Sequence, residues 1–135
     1  MIIVLDASAA VRAVMDAESS FARVLEGEAG IIAPDLIVAE ICSAFRKYVR
    51  ARTMPSNHAA LLIERAIGLV DETQPLRHLM ADVVAMTSHI ESSVYDLFYL
   101  ALARETNATL ITADQAFARV AAKEGIQVFD ANSEL

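Results

Sequence analysis

The sequence predicts an α/β domain: one mostly parallel sheet of about five strands, flanked by helices on both faces. Two observations carry this. Short apolar runs alternate with longer segments of helical periodicity along the whole chain. The 135 residues, 56% of them hydrophobic, suffice for one core, and no linker, repeat or low-complexity stretch divides them, so residues 1–135 read as a single domain. In such a fold ligands bind outside the carboxyl ends of the strands. A polar residue placed directly after an apolar run is therefore a candidate for function.

Taken in order, Ile2 to Leu5 reads as a buried strand, followed by short helices over Ser8 to Met15 and Ser19 to Glu26. Gly30 to Ala33 is a second strand. Pro34 and Asp35 then open a long helix from Leu36 to Arg52, with Ile37, Ile41, Ala44, Phe45 and Tyr48 as an apolar stripe at helical spacing. Pro55 and Ser56 start the next helix, to about Leu69. Val70 to Thr73 reads as an edge strand before Pro75, and Leu76 to Thr87 as a helix. Ser93 to Glu105 is apolar nearly all round, as a buried central helix must be. Ala108 to Thr112 is the next strand, Asp114 to Glu124 a helix stopped by Gly125, and Ile126 to Phe129 a last strand before a loose polar tail.

Cys42 is the only cysteine and cannot form an internal disulfide; beside Ile41 and Ala44 it reads as a small buried thiol in a reducing compartment, which points to the cytoplasm. No apolar run approaches the ~20 residues that span a bilayer, and Met1 to Leu5 lacks the flank of a signal peptide, so no membrane role is expected. The mean hydropathy of +0.42 is high for a small monomer and predicts a dimer or an obligate partner. A net charge of −7 argues against a nucleic-acid ligand. Distribution matters more than the total: Arg46, Lys47, Arg50 and Arg52 form a dense basic cluster, which could contact phosphates or merely complement a helix C-terminus.

Four acids occupy informative places. Asp6 follows the first strand, Asp114 stands two residues beyond Thr112 and the strand it ends, Glu40 rims the stripe of the long helix, and Asp96 is a lone charge in the first turn of the most apolar helix. Each has a purely structural role open to it. Asp6 and Asp114 could cap the helices they precede, Asp96 could belong to a capping box begun by Ser93, and Glu40 could be a surface charge. Their convergence would be a different matter. Two carboxylates ~5 Å apart at an effective dielectric of ~20 repel by roughly 3 kcal/mol, so a converging set calls for a cation. Oxygen-only ligation favours Mg²⁺ or Mn²⁺ over Zn²⁺. His58, His78 and His89 lack zinc-ligand spacing and read as surface residues.

Asp6-Ala7-Ser8, Glu40, the run Tyr95-Asp96-Leu97 through Ala103, and Thr112-Ala113-Asp114 with Phe117 together resemble a PIN domain, over essentially the whole chain. The nearest subgroup is the VapC-like ribonuclease toxins of toxin–antitoxin pairs. The resemblance implies a parallel-sheet nuclease fold, Mg²⁺ or Mn²⁺ dependence, endonucleolytic cleavage of RNA, a homodimer, and a small cognate antitoxin protein that inserts into the active-site groove. It implies that Asp6, Glu40, Asp96 and Asp114 bind metal directly or through water, with Ser8 and Thr112 as supporting groups behind them. Gln115 stands where some relatives carry a further acid, which bears on whether one ion or two are bound. Arg46, Lys47, Arg50 and Arg52 then become candidate contacts to flanking RNA phosphates.

Other classes fit less well. A phosphoacceptor receiver needs an acid pair after the first strand and a lysine after the last, and a haloacid-dehalogenase-type phosphatase needs an Asp where Ser8 stands. A catalytically silent PIN-like module, binding RNA or protein through the same groove, is the alternative of a different class.

Overall fold

Strand β1 (Ile3–Leu5) has no exposed residue, as a continuous apolar run at the centre of a doubly covered sheet requires. The protein is described here from a computed structural model covering residues 1–28 and 30–131; the tail expected at the C-terminus falls outside the described residues from position 132 onward. After β1 come α1 (Ala7–Met15), α2 (Ser20–Leu25), β2 (Ile31–Pro34), α3 (Ile37–Arg50), α4 (Ser56–Ile67) and β3 (Glu72–Gln74). The second half adds α5 (Leu76–Met86), α6 (Val94–Thr106), β4 (Thr109–Ile111), α7 (Gln115–Lys123) and β5 (Gln127–Val128).

The sheet has the order β3-β2-β1-β4-β5, and every pairing is parallel. Ile3 pairs with Ile31 on one side and Thr109 on the other. The chain thus winds outward from β1 in one direction and returns to wind outward in the other. Right-handed crossovers put α1 to α4 on one face and α5 to α7 on the opposite one. The packing agrees: α1 lies against α2, α3 and α4, while α5 pairs with α6, which crosses β1, β2 and β4. The winding reverses between β1 and β4, and there the helices leave the sheet in opposite directions and open a crevice.

The helix stripes do what their spacing demands. Ile37, Ile41 and Phe45 are buried along α3, each contributing about 1.5–3 kcal/mol of hydrophobic burial. Cys42 is exposed, contrary to the expectation of a packed thiol. It lies one residue, about 100° of helical turn, beyond Ile41, and so points away from the face that Ile41 buries. Of the boundaries that differ, two have a definite cause. Helix α3 ends at Arg50 rather than Arg52, because Arg52 adopts a left-handed backbone (φ 60°) and its N–H turns back to Val49. The edge strand runs over Glu72–Gln74 rather than Val70 to Thr73. Val70 still closes the turn after α4, and Asp71 accepts from the Gly30 and Ile31 amides at 3.0 and 2.9 Å, so pairing begins only beyond it. Among the described residues no helix is long and apolar enough to cross a membrane.

Candidate active site

Four helices begin at the crevice, and each carries one of the four acids in its cap or first turn. Asp6 is the N-cap of α1 and accepts from the Ala9 amide; Asp114 is the N-cap of α7 and accepts from Phe117. Asp96 sits in the first turn of α6, which Ser93 caps, and Glu40 in the first turn of α3. The capping roles of Asp6 and Asp114 are therefore real, and Asp96 and Glu40 stand in first turns at the same edge of the sheet. The positive ends of the helix dipoles face the acids and offset part of their mutual repulsion, by about 0.3–1 kcal/mol each.

Asp6 is the most enclosed of the four, 6% exposed. Ser8 Oγ donates to its Oδ1 at 2.6 Å and Thr112 Oγ1 to its Oδ2 at 2.5 Å. A hydroxyl has one proton, so with both committed to Asp6 the 3.2 Å approach of Ser8 to Thr112 is a contact rather than a third bond. The same two hydroxyls accept from the backbone that follows β4, Ser8 from Ala113 N–H at 2.9 Å and Thr112 from Asp114 N–H at 3.1 Å. They fasten the start of α7 to the start of α1 across the point where the winding reverses.

Tyr99 and Ser92, which sequence reasoning did not single out, complete the arrangement. The buried Tyr99 phenol donates to Glu40 Oε1 at 2.7 Å, and Ser92 Oγ to Asp96 Oδ2 at 2.9 Å. A signal for Tyr99 was present: it follows Asp96 by three residues and is the only polar group among the fully buried positions of an apolar helix. Burial, and then the charge of Glu40, push its phenol far above the ordinary range, so Tyr99 remains a donor. Glu40, Asp96 and Asp114 each commit one oxygen to a hydrogen bond within the protein.

Burial is also the main reason why Asp6, Glu40 and Asp96 ionise at higher pH than ordinary carboxylates. Repulsion adds to it, and the pattern has a centre. Asp96 acts on Asp6, Asp6 and then Asp96 act on Glu40, and Asp114 acts on Asp96. The four face one another across a cleft without closing on a point: among the described residues no three His, Cys, Asp or Glu side chains are spaced to hold an ion.

Tyr99→Phe should therefore raise the Glu40 pKa further, because the lost bond favoured the charged form, and should cost about 1 kcal/mol of stability. Carboxyl-carbon NMR titration and thermal unfolding would read both effects; an unmoved Glu40 midpoint would mean that the phenol does not tune it.

The basic cluster does not form one patch. At about 100° per residue Lys47 lies within 20° of Glu40 around α3, on the side of the cleft. Arg46 and Arg50 instead line a groove with Cys42 between α3 and α4, and Arg52 lies beyond the helix. His58, His78 and His89 are exposed, as expected.

Fold and cleft define the class: a doubly wound α/β domain with carboxylates gathered at its topological switch point. The chain belongs to the PIN domain family, whose model matches residues 3–123, and it thus has a nuclease-type fold. The structure is similar to the crystal structure of PAE2754 from Pyrobaculum aerophilum, with a TM-score of 0.72 at 16% identity over 89% of this chain and 86% of that one. At that identity the likeness concerns the fold. Among curated proteins none matches the chain.

Proposed function

We propose that the protein is a Mg²⁺- or Mn²⁺-dependent endoribonuclease that hydrolyses RNA phosphodiester bonds and acts as the toxin of a toxin–antitoxin pair. The observation that carries this reading is the convergence of Asp6, Glu40, Asp96 and Asp114 on one cleft, with Asp96 acting on or acted on by each of the others. Such a set opposes its own ionisation and is relieved by a cation. The donors are all oxygen, and Mg²⁺ keeps several of its waters, so an ion touching one or two carboxylates and reaching the rest through water suits acids that do not close on a point. When bound, the ion would supply positive charge to the scissile phosphate and acidify the attacking water.

The protein's own groups do the rest. Asp6, held by three donors, and Asp96, held by Ser92, would be the ligands with fixed side chains, and Asp114 would complete the set. Glu40, with one oxygen bound to Tyr99, would use the other to orient water. Water attacking in line leaves a 5′-phosphate and a 3′-hydroxyl, and no protein nucleophile takes part. Lys47, on the Glu40 side of α3, would hold a flanking phosphate, with Arg46, Arg50 and Arg52 further out. A single-stranded or looped RNA suits the acidic cleft, since its bases are already unstacked. The homodimer and the antitoxin belong to the same reading. Exposed Met80 and Val84, one turn apart on α5, and Tyr95 beside the cleft support it as apolar surface for a partner.

One observation favours the silent binding module: the acids are not spaced to grip an ion as they stand. Calorimetric titration with Mn²⁺ separates the two readings, and analysis of RNA ends tests the chemistry. The nuclease reading expects saturable Mn²⁺ binding and 5′-phosphate products. Absence of binding favours the silent module, and a 2′,3′-cyclic phosphate rules out this mechanism.

A further inference from the structure

Next to the acid cleft, and sharing a wall with it, lies a cavity of about 390 Å³. One face of α7 supplies Gln115 and Arg119, a turn apart, and the small side chains of Ala118 and Ala122 on the same face leave the space open. Phe21 and Phe129 meet edge to face beneath it, with ring centroids 6.1 Å apart. Arg12 holds its guanidinium over the Phe21 ring, 5.7 Å from the centroid. The three ion pairs among the described residues engage neither Arg12 nor Arg119. Asp130 adds one acid to the lining. Thr112 joins the two sites, since it lines this cavity while its hydroxyl donates to Asp6.

The mixture of groups selects the ligand class. A bare phosphate would face Asp130 and gain nothing from the rings, and a cation would meet two guanidinium groups. A planar nucleobase uses the whole set, with one face on the outer side of the Arg12 guanidinium, Phe129 packing against it at an angle, and its edge toward Gln115 and Arg119. Arg12 is already positioned by its contact with Phe21, so little side-chain freedom is lost on binding.

We propose that this cavity is a base-binding subsite that seats one unstacked base of the RNA beside the scissile phosphate, with Arg119 and Gln115 reading its edge. Guanine fits best, because O6 and N7 offer the paired acceptors that a guanidinium fork recognises. The subsite thereby decides where along a strand the acid cleft cuts. This consequence rests on the nuclease reading above; the binding itself does not.

Two measurements keep the two readings apart. The four ribonucleoside 5′-monophosphates are titrated into the metal-free, ¹⁵N-labelled full-length protein and into its Arg119→Gln and Ala118→Leu variants. The same proteins then digest a randomised single-stranded RNA pool with Mn²⁺, and the cut ends are sequenced. Ala118→Leu fills the cavity without changing charge, so it separates loss of space from loss of attraction. Guanosine monophosphate is expected to shift the Gln115 side-chain amide and the Phe129 amide saturably, about tenfold more tightly than the other three. Both variants lose that binding, and their cleavage loses the guanine preference of the wild type at a fixed position from the cut. Binding without any cleavage would leave the subsite standing and remove the nuclease reading. Cleavage with the same base preference in all three proteins, or equal binding of all four nucleotides, would overturn the subsite.

Discussion

Asp96→Asn is expected to lower Mn²⁺ affinity and RNA cleavage by at least about 100-fold while making the metal-free protein more stable at pH 7. The two effects have one origin. Asp96 is linked electrostatically to each of the other three, so neutralising it removes repulsion from all of them. The amide oxygen can still accept from Ser92, and Ser93 still caps α6 through the backbone of position 96. For a half-exposed group the solvent screens most of the Coulomb energy, which leaves a gain of about 1 kcal/mol, roughly 3–5 °C in melting temperature.

The pH dependence has a definite sign. A carboxyl whose pKa is raised in the fold holds its proton more tightly there than in the unfolded chain, so its stabilising contribution is complete below the unfolded value and is lost as pH rises through the folded one. The window opens at the ordinary values, 3.8 for Asp6 and Asp96 and 4.5 for Glu40. Metal-free wild type should therefore lose stability from these groups as pH climbs from about 4 toward neutrality. Asp96→Asn should lose less, and the difference should vanish below the window. Thermal melts at pH 3.5 and 7 with and without Mn²⁺ would show this; wild-type cleavage by the variant would remove Asp96 from the site, and unchanged melting would mean that the cluster stores no repulsion.

Thr112→Val is expected to cost about 2 kcal/mol at pH 7 and to reduce cleavage roughly 10- to 100-fold, although valine matches threonine in shape. The hydroxyl does two things at once. It gives Asp6 a charge-assisted bond in a site where burial already opposes ionisation, and it accepts the Asp114 amide that begins α7. Without the donor the Asp6 pKa climbs further, so the acid limb of the pH–rate profile moves to higher pH and the destabilisation shrinks as pH falls and Asp6 takes up its proton. Stability measured by urea unfolding at two pH values, with the rate profile, would distinguish this from a packing defect. A defect in packing alone would leave the profile where it is.

Much of this molecule was legible in the chain. The alternation of apolar runs with helical stripes foretold the parallel sheet and the order of its elements, because hydrophobic periodicity is a local property with a definite geometric meaning. Asp6 and Asp114 were conspicuous for the same reason: each follows a run of residues that can only be a buried strand. The errors were local as well. Cys42 is apolar in character and sits within an apolar neighbourhood of sequence, yet its helical phase turns it outward. The left-handed turn at Arg52 gives no compositional warning, since glycine is the residue usually expected there.

Composition, periodicity and the placing of single acids after apolar runs determined the fold class and the candidate residues, since these depend on a few neighbours in sequence. The tertiary structure alone decided how those residues act on one another. Tyr99 reaches Glu40 across 59 positions of chain and Thr112 reaches Asp6 across 106, and the winding that reverses between β1 and β4 is what brings them together. It also joined Arg12 of α1, Arg119 of α7 and Phe129, just beyond β5, around one cavity beside the acids. Contacts of that kind depend on which strands become neighbours, and a pairing between distant strands leaves no mark in the local pattern of either one.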